Sequence, residues 1–184
     1  KLRSKDVTGA LTEFRKTASI DPSLTEAQLN IAAISLSARS YKQAEDAFQA
    51  VLKKQPQHLD ATIGMGVAMR GQRKPDEAEN WYNKALQIDS KNCGVLYNLG
   101  LLYQDYKTGS EADLKKAQEI YNKYLACGRT DPEHSADSKR RIKDIDDTFK
   151  AIEEQKKLEA EMKALQAEAD RQQKAYEEQM KKEG

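Results

Sequence analysis

The chain has 184 residues, 38% of them hydrophobic and 33% charged, with 31 basic against 30 acidic side chains and a net charge of +1. So polar a sequence cannot build one large core, and so balanced a charge sets up no field favouring nucleic acid or an anionic membrane. No run nears the roughly 18 apolar residues of a membrane span, and with nine glycines and four prolines helix should dominate.

In chain order the first feature is a repeat. Ala10, Ala44 and Ala78 stand 34 residues apart, each followed four positions on by an aromatic: Phe14, Phe48 and Tyr82. Pro22, Pro56 and Ser90 punctuate at the same period, and Ile31-Ala32, Met65-Gly66 and Leu99-Gly100 recur upstream. A fixed period of this size marks stacked supersecondary units, each burying its apolar face on its neighbour. Full repeats run 25–58, 59–92 and 93–131. Residues 1–22 match only the second helix of a repeat, so the natural chain is expected to continue upstream of Lys1.

The last repeat is irregular. Ala117 follows Ala78 by 39 residues, which places five extra residues between its two helices. The segment "YKTGSEADLKK" carries them, with Gly109 expected to end one helix and Ser110 to cap the next, Asp113 standing three residues on. Past Asp131-Pro132 the repeat stops. Residues 133–152 carry Ile142, Ile145, Phe149 and Ile152 on one helical stripe, as a helix covering the open end of the repeats requires. Lys139-Arg140-Arg141 on this helix reads either as an anion site or as a solvated face.

Residues 153–184 contain no proline and no glycine before Gly184. Acid-first pairs four apart (Glu153–Lys157, Glu159–Lys163, Asp170–Lys174, Glu177–Lys181, Glu178–Lys182) suit a helix. A continuous helix from Glu133 to Glu183 would be roughly 75 Å long and project past the repeats. Leu158, Met162, Leu165, Ala169, Tyr176 and Met180 form a thin apolar seam along it. A short coiled coil and a lone charged helix both remain open.

The repeat columns resemble the tetratricopeptide repeat. "LYNLGLLY" (Leu96 to Tyr103) matches its first helix, and "EAENWYNKAL" (Glu77 to Leu86) its second. The resemblance implies an all-α solenoid of helical hairpins over residues 1–132, followed by the covering helix and the long projecting helix. The small residues Ala32, Gly66 and Gly100 would let the first helix approach the second, where Ala44, Ala78 and Ala117 receive it. It also implies a concave face lined by the first helices. There Leu29, Ile63 and Tyr97 form one apolar column and Ala33, Val67 and Leu101 another, flanked by Asn30, Arg70, Asn98, Gln104 and Asp105. Such a lining suits a peptide or helix with a few apolar anchors. Packing of these columns inside the solenoid is the alternative. Family members that clamp a C-terminal carboxylate carry lysine and asparagine where Leu29 and Ala33 stand, so that ligand is not expected.

Because the two helices of a hairpin run antiparallel, Cys93 and Cys127 should meet at one end of the last repeat. They are the only two cysteines. A disulfide there and two reduced packing cysteines are both open. His58 and His134 have no ligand-spaced partner, and Asp144, Asp146 and Asp147 fall on different helical faces. No phosphate loop, nucleophile elbow or zinc signature is present. The expectation is therefore a protein-binding scaffold with no catalytic residues, no metal and no cofactor. Its partners would be proteins, with self-association through the C-terminal helix. The repeats, inserted hairpin and charged tail together are similar to bacterial envelope tetratricopeptide lipoproteins, including those of myxobacterial gliding machinery. That implies a periplasmic or outer-membrane-attached scaffold; a cytosolic adaptor or co-chaperone, and an assembly factor for an outer-membrane complex or cell-wall enzyme, are the competing readings.

Overall fold

A computed structural model describes residues 9, 12–14, 16, 25–107, 109–128 and 130–183. Ala10 and Pro22 of the partial repeat lie outside them, but Phe14 is helical and packs half-buried against the core. The described residues then form seven long helices: α1 (Thr25–Ser37), α2 (Tyr41–Lys54), α3 (Leu59–Gly71), α4 (Pro75–Ile88), α5 (Cys93–Asp105), α6 (Glu111–Leu125) and α7 (Pro132–Glu183). The contact pattern divides the chain into residues 1–141 and 142–184, a boundary that falls inside α7.

In the first unit α1–α2, α3–α4 and α5–α6 are hairpins, and each packs on the next through α2–α3 and α4–α5. The first helices also touch one another, α1 with α3 and α3 with α5. Local chemistry sets the helix ends. Asn92 Oδ1 accepts from Val95 N at 3.1 Å to cap α5, and Ser110 Oγ accepts from Asp113 N at 3.1 Å to cap α6, the hydroxyl returning a bond to Asp113 Oδ2. His58, a loop residue in sequence, caps α3 through Nδ1 from Ala61 N at 3.3 Å. Helices α1 and α3 close with Arg39 and Arg73 in the left-handed region, at φ 58° and 59°. Six-to-one bonds follow, from Ser40 N to Ser35 O at 2.8 Å and from Lys74 N to Met69 O at 3.0 Å.

At Gly66 and Gly100 the missing side chain makes room for a ring of the second helix. A Cβ at Gly66 would meet Tyr82 at 2.4 Å, and one at Gly100 would meet Tyr121 at 2.4 Å. Between repeats, Gly64 admits Phe48 in the same way. Tyr82 and Tyr121 are completely buried, as are Ala32, Ala44, Ala78 and Ala117. Burying a ring such as Phe48 contributes about 1.5–3 kcal/mol, so the close approach is well repaid.

The five extra residues of the last repeat divide between loop and helix. Loops of three residues join α1 to α2 and α3 to α4, whereas five join α5 to α6. Helix α6 begins six residues before Ala117, while α2 and α4 begin three before Ala44 and Ala78. Gly109 does not end α5, which stops at Asp105; it takes a φ of +70° in the connection just before the Ser110 cap. Lys107 in this loop reaches back to α4, with Nζ 2.8 Å from Glu79 and in contact with Asp76. At the other end of the repeat Cys93 and Cys127 form a disulfide, with Cα atoms 5.8 Å apart.

In residues 142–184, Ile145 is buried and Ile142, Phe149 and Ile152 are half-buried, while 153–181 are exposed throughout. Of the four acid-first pairs from Glu153–Lys157 to Glu177–Lys181, none is an ion pair among the described residues; carboxylates there accept from glutamines instead, as in Gln155 to Glu159 at 2.9 Å.

Candidate partner-binding groove

The two columns expected on the concave face fall into two hollows with different fates. At the amino-terminal end, Leu29 and Ala33 of α1 and Ile63 and Val67 of α3 line one hollow of about 400 Å³, with Leu36 and Phe48 at its floor. The polar groups on its edge are Asn30 and Asp60. Leu29, Ile63 and Val67 are half-buried and Ala33 is exposed, so apolar surface faces outward. Gly64 contributes by absence of a side chain: the Phe48 ring occupies the space where a Cβ would stand.

At the other end Arg70, Tyr97 and Leu101 line a second, more polar hollow of about 610 Å³ together with the first turns of α7. Here the chain covers its own columns. The His134 ring stacks on Tyr97 at 4.2 Å between centroids, and the Tyr97 hydroxyl donates to Asp137 Oδ2 at 2.9 Å. Tyr121 and Tyr124 close on the other sides of Tyr97, at 6.4 and 5.5 Å. Arg141 donates to Asp137 at 2.7 Å, Gln104 at 2.8 Å and Asp105 at 3.1 Å, while Gln104 also accepts from the Tyr121 hydroxyl at 3.0 Å.

The electrostatics follow from this packing. Burial pushes the Tyr97 hydroxyl up to about 12, and its bond to the Asp137 carboxylate pushes the same way. Burial alone would raise Asp137, but donation from Arg141, Arg140 and Tyr97 outweighs it and holds the carboxyl below its usual value. Burial opposes the charge of Arg141 too, yet Asp137 and Asp105 keep it more firmly protonated than usual. Two cations of the Lys139-Arg140-Arg141 run are thus committed to internal carboxylates.

Of the sequence-predicted positions, Leu29, Asn30, Ala33, Ile63 and Val67 come together in the first hollow, and Arg70, Tyr97 and Leu101 in the second. The Asn98 side chain donates to Gly94 O within α5 at 2.9 Å, and the Asn98 backbone carbonyl accepts from Arg70 at 3.4 Å. His134, Asp137 and Arg141 carried no periodic signal that would tie them to Tyr97. The convex side has a feature of its own. Trp81 is half-buried among Leu52, Met65 and Ile88, with Lys84 Nζ 4.1 Å above its ring.

The tetratricopeptide repeat family model matches residues 30–92, which contain α2, α3 and α4 whole. Over that stretch the hairpins match tetratricopeptide repeats, and α5 and α6 continue the same helical-hairpin fold. Among solved structures the repeats resemble MamA from Desulfovibrio magneticus RS-1, at 23% identity and a TM-score of 0.61, covering 70% of each chain. A second MamA crystal structure matches at 14% identity and a TM-score of 0.56, over 80% of this chain and 92% of that one. These likenesses concern the fold. Among curated proteins, the barley (Hordeum vulgare) probable UDP-N-acetylglucosamine–peptide N-acetylglucosaminyltransferase SPINDLY is 30% identical over 110 residues, which is 60% of this chain and 11% of the relative. Its Arabidopsis thaliana counterpart is 28% identical over 123 residues, 66% of this chain and 12% of the relative. The chain thus spans about a tenth of the length of these relatives. Solenoids of this kind present extended surfaces suited to binding other proteins.

Proposed function

We propose that the chain is a non-catalytic scaffold that seats an apolar helix or peptide of a partner protein on Leu29, Ala33, Ile63 and Val67, within a bacterial envelope assembly. One observation carries this reading. The concave columns are covered by a helix at one end, where α7 lies on Tyr97, and among the described residues nothing covers them at the other. At that end a helix lies on the columns, and a helix is the shape proposed for the open end. An apolar floor with few polar edge groups favours anchoring by Leu-, Ile- or Phe-type side chains over charge pairing.

The envelope assignment draws support from the Cys93–Cys127 bridge, since structural disulfides persist in oxidising compartments and are rare in the cytosol. Its similarity to envelope tetratricopeptide lipoproteins, those of gliding machinery included, points the same way. A photo-crosslinking residue placed at Ile63 in the native host tests the groove, with Trp81 as the convex control. A discrete crosslinked partner from position 63 is expected; crosslinks from position 81 alone would refute the concave site.

A further inference from the structure

The exposed stretch of α7 carries a second surface that the repeats do not account for. Leu158, Met162, Leu165, Tyr176 and Met180 are 54–64% exposed. Their spacing closes into an eleven-residue repeat: Leu158, Ala169 and Met180 are eleven apart, as are Leu165 and Tyr176, and as are Met162 and Gln173. An eleven-residue repeat advances about 3.67 residues per turn, so the stripe runs nearly straight along the helix. It is also a different face from the one Ile145 buries. At 100° per residue, Leu158 lies about 120° round the helix from Ile152.

Charge is segregated around this stripe. On the same wheel Glu159, Asp170 and Glu177 fall along one border and Glu154, Glu161 and Glu168 along the other, all within about 105° of its midline. All seven Lys and Arg residues between Lys156 and Lys182 fall further round, on the back. Several of the border carboxylates accept from amides. Gln166 donates to Asp170 at 2.9 Å, Gln173 to Glu177 at 3.1 Å and Gln172 to Glu168 at 3.4 Å. An amide fixes a carboxylate without cancelling its charge, so the borders stay negative.

We propose that this face docks a helix of a partner protein whose own apolar stripe is bordered by lysine or arginine. The occupant follows from complementarity across the borders. A second copy of the chain would set acid against acid whether the two helices ran parallel or antiparallel, because both borders carry the same sign. An anionic lipid surface would meet the same repulsion. A basic-bordered helix buries the apolar stripe and pairs both borders at once. The site is separate from the repeat groove, and Ile63→Glu should leave it untouched.

The test uses the full chain and a synthetic helical peptide spanning two eleven-residue repeats, with leucines at the stripe positions and lysines at the borders. A twin peptide with glutamates at the borders is the control. Fluorescence anisotropy should show the lysine peptide binding at least tenfold tighter than its twin, with affinity falling as salt is raised. Leu165→Ser with Tyr176→Ser should abolish binding while circular dichroism shows the repeats melting as before. Glu159→Lys, Glu161→Lys, Glu168→Lys and Asp170→Lys together should reverse the preference between the twins. Equal binding of both peptides overturns the proposal, as does binding that survives Leu165→Ser with Tyr176→Ser. Sedimentation showing a dimer that depends on Leu165 and Tyr176 would make a second copy the occupant instead. Binding to phosphatidylglycerol vesicles through the same two residues would make it lipid.

Discussion

At Gly66 and Gly100 a helix backbone lies so close to a buried tyrosine ring that a methyl group would meet it at 2.4 Å. Alanine is favoured over glycine in a helix by about 1 kcal/mol, but overpacking a fixed core costs about 1–3 kcal/mol. The ring of Tyr121 is fully buried and has nowhere to retreat, so the steric cost should prevail. Gly100→Ala is expected to lower stability by about 1 kcal/mol in urea unfolding. Arg73 supplies the opposite case. It holds a φ of 59° that costs a side chain about 1–2 kcal/mol, and Arg73→Gly should raise stability by about 0.5–1 kcal/mol once glycine's extra chain entropy is subtracted. The sequence showed that position 100 had to be small, because a glycine or alanine recurs in that column. It did not show that the Tyr121 ring is what fills the space, since only packing reveals that.

Among the elements, the last hairpin is the one most heavily secured. Its inserted loop is tied to α4 by Lys107, its ends by the disulfide, and its outer face by the first turns of α7. A bridge across 34 residues of chain is worth about 4 kcal/mol in the loop-entropy account. Reduction should therefore detach α5 and α6 first, because each repeat leans only on its neighbours. Hydrogen exchange on reduced protein is expected to show early opening of 93–125, with α1 to α4 little changed; uniform loosening would count against it. The α7 contact adds a pH dependence. Asp137 is held below its usual value, so between that lowered value and the unfolded one the native state binds fewer protons than the unfolded state. Its stabilisation is present above the ordinary carboxylate range and is lost as pH falls through the folded value. Tyr97 has the reverse sign: its hydroxyl is raised from 10 to about 12, and stability drains away as pH climbs through that interval. Thermal melts across pH should show Asp137→Asn removing part of the acid limb and Tyr97→Phe part of the alkaline limb. The hairpins were legible because their columns recur at a fixed period. The seating of α7 on Tyr97 was not, because His134, Asp137 and Arg141 meet it only once and no column repeats them.

For the whole molecule, the repeats supply one concave surface that is covered by a helix at one end and offered at the other. Four of the residues of its open hollow were legible through the tetratricopeptide resemblance, which puts Leu29 and Ile63 in one column and Ala33 and Val67 in the next. Its depth was not, because that depends on Phe48 filling the space left by Gly64. Partner capture through this hollow is the central claim. The most direct measurement is the affinity of a peptide selected from a random displayed library for the wild-type chain, Ile63→Glu, Val67→Glu and Trp81→Glu. Both concave variants should bind at least tenfold more weakly while circular dichroism shows them folded, with Trp81→Glu equal to wild type. Undiminished binding to Ile63→Glu and Val67→Glu, with loss at Trp81→Glu, would contradict the claim and move the interaction to the convex face.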